Sequence, residues 1–108
     1  MNNNNERLLP VTLKAKNWKI GQCVANVSEE YANVIRANHD HIQKLKMKRA
    51  GVISAKEIKD SHWKTTIECI NLMIAIRTLL WKMGLTEGDM KKAIHEVNAE
   101  NKKRGYFE

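Results

Sequence analysis

A chain of 108 residues is long enough for one domain with a modest hydrophobic core, and short enough for a partner subunit to complete that core. Its 43% hydrophobic residues, with one proline and five glycines, fit a globular helical protein better than a disordered chain and give no sign of a β-rich fold. The formal net charge of +7 favours anionic partners, namely nucleotides, nucleic acid or an acidic protein surface, without choosing among them.

Cysteine usage and hydropathy predict a reducing compartment and no membrane segment. Cys23 and Cys69 lie in apolar stretches without metal-ligand spacing, so we expect two reduced core thiols rather than a disulfide. No apolar leader segment follows Met1. The most hydrophobic stretch, residues 67–81, contains two charged side chains and an asparagine and is too short to span a bilayer. We therefore expect a soluble, cytoplasmic protein.

The chain begins with a polar segment that has nothing to bury. Residues 1–7 contain four consecutive asparagines, so we expect a disordered polar tail ahead of a single all-α domain over residues 8–108. Leucine and valine side chains around Pro10 then indicate an extended arm packed on the body of the domain.

A first amphipathic helix is predicted after this arm. Asn17 is a suitable N-cap, and apolar side chains follow at three- and four-residue steps from Ile20 to Ile35. The basic run at residues 44–49 is compatible with a solvated helix end or with a loop. We favour the end of the first helix, followed by a loop.

A second helix is predicted from a capping box formed by Ser54 and Glu57. It runs to Met83, after which Gly84 can supply the left-handed residue that ends a helix. Because this helix is apolar nearly all round, we expect it to be buried.

A third helix is predicted from Thr86 and Asp89, a second capping signal, and should end before Gly105. The fold expected from these elements is an all-α bundle of about three main helices. Its central helix is too apolar for two short amphipathic neighbours to cover. We therefore expect oligomerisation to complete the bundle, as a homodimer or a larger homo-oligomer.

Two acid–amide pairs, Glu30 with Asn33 and Glu68 with Asn71, are the most informative polar features of the chain. Each is an i,i+3 pair, so its two side chains share one helix face. The second pair interrupts an apolar run, where burying an unpartnered carboxylate would cost several kcal/mol, about what one domain can spare. We therefore expect a partner opposite Glu68.

These pairs allow more than one interpretation. Facing each other across a helix bundle, they could build a small oxygen-rich pocket for a hard cation. The alternative for Glu30 and Asn33 is a solvated polar face. The alternative for Glu68 and Asn71 is a buried hydrogen-bonded pair that sets helix register, and polarity alone does not separate these interpretations.

Four features follow one another along the chain: E-E-x-x-N at residues 29–33, E-x-x-N at residues 68–71, a Met-Gly-Leu break at residues 83–85, and the ending VNAENKKRGYF at residues 97–107. In this order they resemble the MazG-like all-α nucleoside triphosphate pyrophosphohydrolases, in particular their small phage-encoded members. The resemblance covers roughly residues 8–107. In that family E-E-x-x-E and E-x-x-D motifs hold Mg²⁺ against the triphosphate, water attacks, and a nucleoside monophosphate and pyrophosphate leave.

The resemblance implies a role for seven residues of this chain. Asn101 and Arg104 match the family's C-terminal motif and are implied to bind substrate. Glu30 and Glu68 are the implied catalytic residues. The implied Mg²⁺ ligands are Glu29, Glu30, Asn33, Glu68 and Asn71.

Three residues depart from the family pattern where its chemistry takes place. Asn33 replaces a glutamate, Asn71 replaces an aspartate, and Glu100 replaces a lysine. An asparagine offers a carbonyl oxygen but no charge, so the site loses two formal negative charges and Mg²⁺ should bind weakly. Two functions stay open: a nucleotide-binding pyrophosphohydrolase with weak or absent hydrolysis, and a non-catalytic relative that sequesters a nucleotide or binds a host protein as an anti-defence or regulatory factor. For a phage-encoded protein the compartment would be the host cytoplasm.

The remaining candidates are weaker. The alternate histidines His39 and His41 could bind a transition metal, but without further ligands nearby they favour a polar loop. No aromatic residues interleave the basic run at residues 44–49, so we do not expect nucleic-acid binding, and we expect no membrane contact. The tryptophans are most simply core or interface anchors, with nucleobase stacking as the alternative; they are Trp18, Trp63 and Trp81.

Overall fold

In a computed structural model that describes residues 10–106, the chain forms three α-helices and one short 3₁₀ helix, with no strand in that range. The prediction of an all-α protein with three main helices is confirmed. Residues 1–9, which include the predicted tail and the first leucines of the predicted arm, lie outside the described residues, as do residues 107 and 108. The 3₁₀ helix spans Leu13–Asn17, and the α-helices are α1 (Ile20–Arg49), α2 (Ala55–Lys82) and α3 (Glu87–Lys103).

Helices α1 and α2 pack on each other as an antiparallel hairpin, since only residues 50–54 separate them. Across the hairpin, His41 Nδ1 and Ser61 Oγ share a hydrogen bond of 2.7 Å. Small side chains let the two helices approach closely but bury little apolar area. The buried side chains of the hairpin are all small: Cys23, Ala37, Ser61, Ala75 and Thr78.

The segment before α1 packs on α2, as the predicted arm should. The Thr12 backbone N–H donates to Thr78 Oγ1 at 3.0 Å, and Lys82 Nζ donates to the Lys16 carbonyl at 2.7 Å. Ala15, which belongs to this segment, is fully buried. The expected extended conformation is wrong for Leu13–Asn17, because these residues form the 3₁₀ helix.

Helix α1 begins later than predicted, and it continues through the basic run. The 3₁₀ helix occupies Asn17, so α1 starts at Ile20, and the backbone N–H of Lys19 donates to the Gln22 side-chain oxygen at 2.7 Å. Residues 44–49 form the last turns of α1, which confirms the predicted helix end. The expectation of a polar loop at residues 39–41 is wrong, because they lie inside α1.

Helices α2 and α3 begin and end where the sequence predicts, and the reciprocal capping box forms at α3 while α2 has the N-cap bond of Ser54. Ser54 Oγ accepts a 3.3 Å hydrogen bond from the Glu57 N–H, and Gly84 adopts the positive φ of 83° that ends α2. At the start of α3, Thr86 and Asp89 exchange reciprocal hydrogen bonds of 3.0 and 3.1 Å. The turn between the two helices is sharp, because α3 departs from α2 at a bend of 119°.

The central helix is not buried within one chain, contrary to expectation. The side of α2 that turns away from α1 exposes large apolar side chains by 39% to 63%, and α3 buries none of its residues. The apolar pattern of a sequence predicts which helix surface should be buried, but not whether residues of the same chain bury it. The exposed side chains are Trp63, Ile67, Ile70, Met73 and Ile76.

No single helix of the described chain is long and apolar enough to cross a membrane. Helices α2 and α3 meet the same length and composition test only when taken together as one bent pair.

Candidate functional site

The two acid–amide pairs lie on the sides of α1 and α2 that meet along the hairpin edge. Asn33 Nδ2 donates to Glu30 Oε1 at 3.3 Å, and Asn71 Nδ2 donates to Glu68 Oε1 at 3.0 Å. Each pair therefore shares one helix face, as its spacing predicts.

A groove brings one member of each pair together with the segment before α1. Glu30 from α1 and Asn71 from α2 line the same groove, which has a volume of about 660 Å³. Concave sites of this order suit small organic ligands. The segment before α1 adds Lys14 and Trp18, and α1 adds Asn26. The segment before α1 thus contributes an indole and an ammonium group to the groove, and α1 and α2 contribute amides and a carboxylate.

Glu68 has the partners that its position in an apolar run demands. Its side chain is only 13% exposed, and Lys64 Nζ lies 3.2 Å from its Oε2 atom. The hydrogen bond from Asn71, followed by that from Lys64, holds the pKa of Glu68 below its usual value. The positive charge of Arg36, on the facing helix, lowers this pKa further. The groups that bond this carboxylate therefore lie on its own helix, and from the facing helix, where a partner was expected, it receives only the charge of Arg36.

Arg36 and Lys64 are site residues that sequence reasoning missed. The Arg36 guanidinium donates from Nη2 to Asn33 Oδ1, and its charge also acts on Glu68 of the facing helix. Both cations lie one helical turn from a member of a pair, three residues after Asn33 and four before Glu68. That spacing was a readable signal, although the contact between α1 and α2 was not.

The donor set does not fit a resident Mg²⁺. This ion demands nearly octahedral oxygen coordination, usually including carboxylates. Here the carboxylates of Glu30 and Glu68 accept hydrogen bonds from amides, and Arg36 binds the Asn33 oxygen. Over residues 10–106, no three His, Cys, Asp or Glu side chains form a group that could hold a metal ion. Glu29 is exposed and does not line the groove. Weak Mg²⁺ binding stays a prediction.

The C-terminal motif lies away from the pairs. Arg104 Nε is 3.3 Å from Glu100 Oε1, and the Asn101 carbonyl accepts from the Tyr106 N–H at 2.9 Å. These residues are at the far end of α3, which diverges from α2, and none of them lines the groove. One chain therefore does not bring Asn101 and Arg104 to the acid–amide pairs.

The histidines form a second polar cluster on the hairpin. The rings of His41 and His62 lie 5.5 Å apart, and His41 also binds Ser61. This contact links His62 on α2 to His41 on α1. The antiparallel register of α1 and α2 creates the contact, so a single sequence does not reveal it.

No family model, curated protein or solved structure matches this chain. The resemblance to MazG-like proteins therefore remains an expectation based on the sequence motifs.

Proposed function

We propose that this protein is a MazG-like nucleotide-binding protein, with weak or absent Mg²⁺-dependent hydrolysis of nucleoside triphosphates to monophosphates and pyrophosphate. The observation that carries the proposal is the groove that Glu30 and Asn71 share with Lys14 and Trp18. The net charge of +7 also favours an anionic ligand.

The groove offers one type of side chain for each part of a nucleotide. The half-buried indole of Trp18 presents a flat apolar face on which a base can stack. The amides of Asn26 and Asn71 can donate and accept hydrogen bonds to base or sugar. The exposed ammonium group of Lys14 can neutralise phosphate charge at the groove mouth.

Slow or absent hydrolysis follows from the protonation and pairing of the acids. Hydrolysis needs an activated water, which a metal ion or a general base must supply. Glu68 accepts two hydrogen bonds that lower its pKa, so it is a poor proton acceptor near neutral pH. Glu30 accepts a hydrogen bond from Asn33. This support concerns the residues themselves and does not depend on the family resemblance.

The test is nucleotide binding by calorimetry, with Lys14→Ala and Lys16→Ala as a matched pair. Both lysines are exposed on the same 3₁₀ helix, but only Lys14 lines the groove. We expect Lys14→Ala to weaken triphosphate binding by about tenfold, since hydrogen bonds to charged groups are worth about 1.5–3 kcal/mol. Lys16→Ala should bind like the parent. Equal affinities for both variants, or no nucleotide binding by the parent, would contradict the proposal.

Pyrophosphate release, measured with the same nucleotides in Mg²⁺ or Mn²⁺, separates the two open functions. Release far below typical enzyme turnover of about 1 s⁻¹ or more, together with clear binding, is the expected result. Rapid turnover would show that the asparagines belong to a competent enzyme.

The outward face of α2 supports a homo-oligomer, and we propose a second copy of this chain as its cover. The face is apolar, and Ile67, Ile70 and Met73 on it are 39% to 45% exposed. Exposed apolar patches of several hundred Å² usually mark interaction sites. Self-association would cover the same face on both copies, as a two-fold interface requires.

The assembly test is light scattering on the parent and on Ile70→Glu. Ile70 is 39% exposed in the single chain, so a glutamate there should leave the fold intact but place a charge inside the interface. We expect a dimer or larger parent, and a dissociation constant raised by about tenfold or more in the variant. A monomeric parent would remove the homo-oligomer and leave this face to a different protein, as the host-protein alternative requires.

A further inference from the structure

Two cations occupy the region where the resemblance would place a metal ion. Arg36 projects from α1 and Lys64 from α2, and both act on Glu68, one through charge and the other at 3.2 Å. Arg36 also binds Asn33, so it contacts one pair and influences the other. The hairpin thus places an exposed pair of positive charges beside its acid–amide pairs.

Formal charge in this region disfavours a divalent cation and favours an anionic group such as phosphate. The carboxylates of Glu30 and Glu68 are balanced by Arg36 and Lys64, and Lys14 at the groove makes the region positive by one charge. A divalent cation would enter against that charge and would have to displace existing partners. A phosphate is negatively charged, so the same net positive charge would attract it.

Both cations keep donor capacity for a ligand. A guanidinium has five N–H donors, and Asn33 takes one from Arg36, which is exposed. An ammonium has three, and Glu68 takes one from Lys64, whose side chain is 64% exposed. Planar guanidinium forks suit phosphate in particular.

The position of the cations suggests which part of a nucleotide they meet. Glu30 and Asn71 line the groove, while Arg36 lies six residues beyond Glu30 on α1 and Lys64 seven residues before Asn71 on α2. On a helix these steps correspond to about 10 Å along the hairpin edge. If the groove holds the base of a nucleotide, a chain of two or three phosphates can extend toward the cations. A single phosphate would extend less far toward them.

We propose that Arg36 and Lys64 take the place of a divalent metal ion at this site, so that the phosphate chain of a nucleoside di- or triphosphate binds to them without Mg²⁺. This inference rests on the proposed nucleotide binding and names the form of the ligand: the metal-free polyphosphate.

The experiment measures the affinity of a nucleoside triphosphate and of its monophosphate by calorimetry, in excess EDTA and in excess Mg²⁺. We expect the triphosphate to bind in EDTA at least as tightly as in Mg²⁺, and about tenfold or more tightly than the monophosphate. Triphosphate binding that requires Mg²⁺ would overturn this inference while leaving the proposed function standing. No binding of either nucleotide under either condition would overturn both.

Variants locate the effect on the two cations. Arg36→Ala and Lys64→Ala should each weaken triphosphate binding in EDTA by about tenfold and leave monophosphate binding unchanged. Arg49→Ala, on the same helix as Arg36 but at its far end, is the control and should behave like the parent. Arg36→Lys should restore part of the loss, because it keeps the charge without the planar fork.

Two results separate a ligand contact from a structural role. Ion pairs of exposed side chains contribute little to stability, so melting temperatures of the alanine variants should stay close to that of the parent. Equal losses for the triphosphate and the monophosphate would indicate that the cations only shape the groove, and would overturn the inference.

Discussion

The α1–α2 hairpin and helix α3 are attached to the molecule in different ways. The hairpin holds the buried small side chains and the hydrogen bonds that cross between helices. Helix α3 buries no residue, and its side-chain contacts to α2 centre on Arg77, whose Nη2 is 3.4 Å from Glu87 and whose Nη1 donates to Met90 Sδ at 3.3 Å. Capping can thus define a helix whose packing is incomplete, because its hydrogen bonds are local.

The same difference divides the proposed site, because helix packing positions the residues on the hairpin but not those on α3. The acid–amide pairs sit on the hairpin, where packing holds α1 and α2 in register and brings Glu30 and Asn71 to one groove. The C-terminal motif sits on α3, where no contact within residues 10–106 directs Asn101 or Arg104 toward that groove.

The largest effect should come from a pair of Ala→Leu substitutions, one in each region. Ala75 is 2% exposed in the hairpin, and Ala93 is exposed on α3. Leucine at position 75 has to force the helices apart, so we expect Ala75→Leu to lower the free energy of unfolding by about 3 kcal/mol. Ala93→Leu should change it by less than about 0.5 kcal/mol. Urea unfolding followed by circular dichroism measures both.

A similar loss for Ala93→Leu would show that α3 packs tightly in solution. In that case a partner chain would be covering the helix, and the loss should depend on protein concentration.

Removing the N-cap side chains of α2 and α3 should have smaller effects on stability, and the effects should differ in kind between the two helices. Both Ser54→Ala and Thr86→Ala remove a side chain that accepts a backbone N–H, which costs about 1 kcal/mol. Because α2 belongs to the hairpin, Ser54→Ala should lower global stability. Thr86→Ala should instead fray α3 alone, so hydrogen exchange should rise at α3 amides while α1 and α2 stay protected. Protection lost equally across all helices in Thr86→Ala would mean that α3 is coupled to the hairpin.

The smallest effect should be on stability at acidic pH, and it should again differ between the hairpin and α3. The pKa of Glu68 is held below its ordinary value of 4.5, chiefly by Asn71, and that of Asp89 below 3.8 by the Thr86 backbone N–H and hydroxyl. A lowered folded-state pKa contributes stability that is present above the unfolded pKa and is lost as pH falls through the folded value.

Glu68→Gln should therefore flatten the acid dependence of hairpin unfolding below about pH 4.5. Asp89→Asn should flatten only the loss of α3 helicity, and at lower pH, because its unfolded pKa is lower. Circular dichroism during acid titration, with Glu57→Gln as an exposed control on α2, provides the measurement. An acid profile unchanged by Glu68→Gln would place this carboxylate free in solvent.

Interactions between residues three or four positions apart could be predicted from the sequence. Ser54 and Thr86 indicate helix starts because their side chains bond only to nearby backbone, and Gly84 indicates a helix end because its positive φ is a local backbone property. The hydrogen bonds of the acid–amide pairs are legible for the same reason.

Contacts between distant residues were decided only by the tertiary structure. Arg36 acts on Glu68, and Trp18 joins Asn71 in the groove, because α1 and α2 meet in one antiparallel register that no local rule specifies. The sequence by itself also established that α2 carries apolar residues on most of its surface. Only the tertiary structure showed that one face of α2 covers α1 while the other stays exposed, because hydrophobic burial depends on area removed from water and not on which chain removes it.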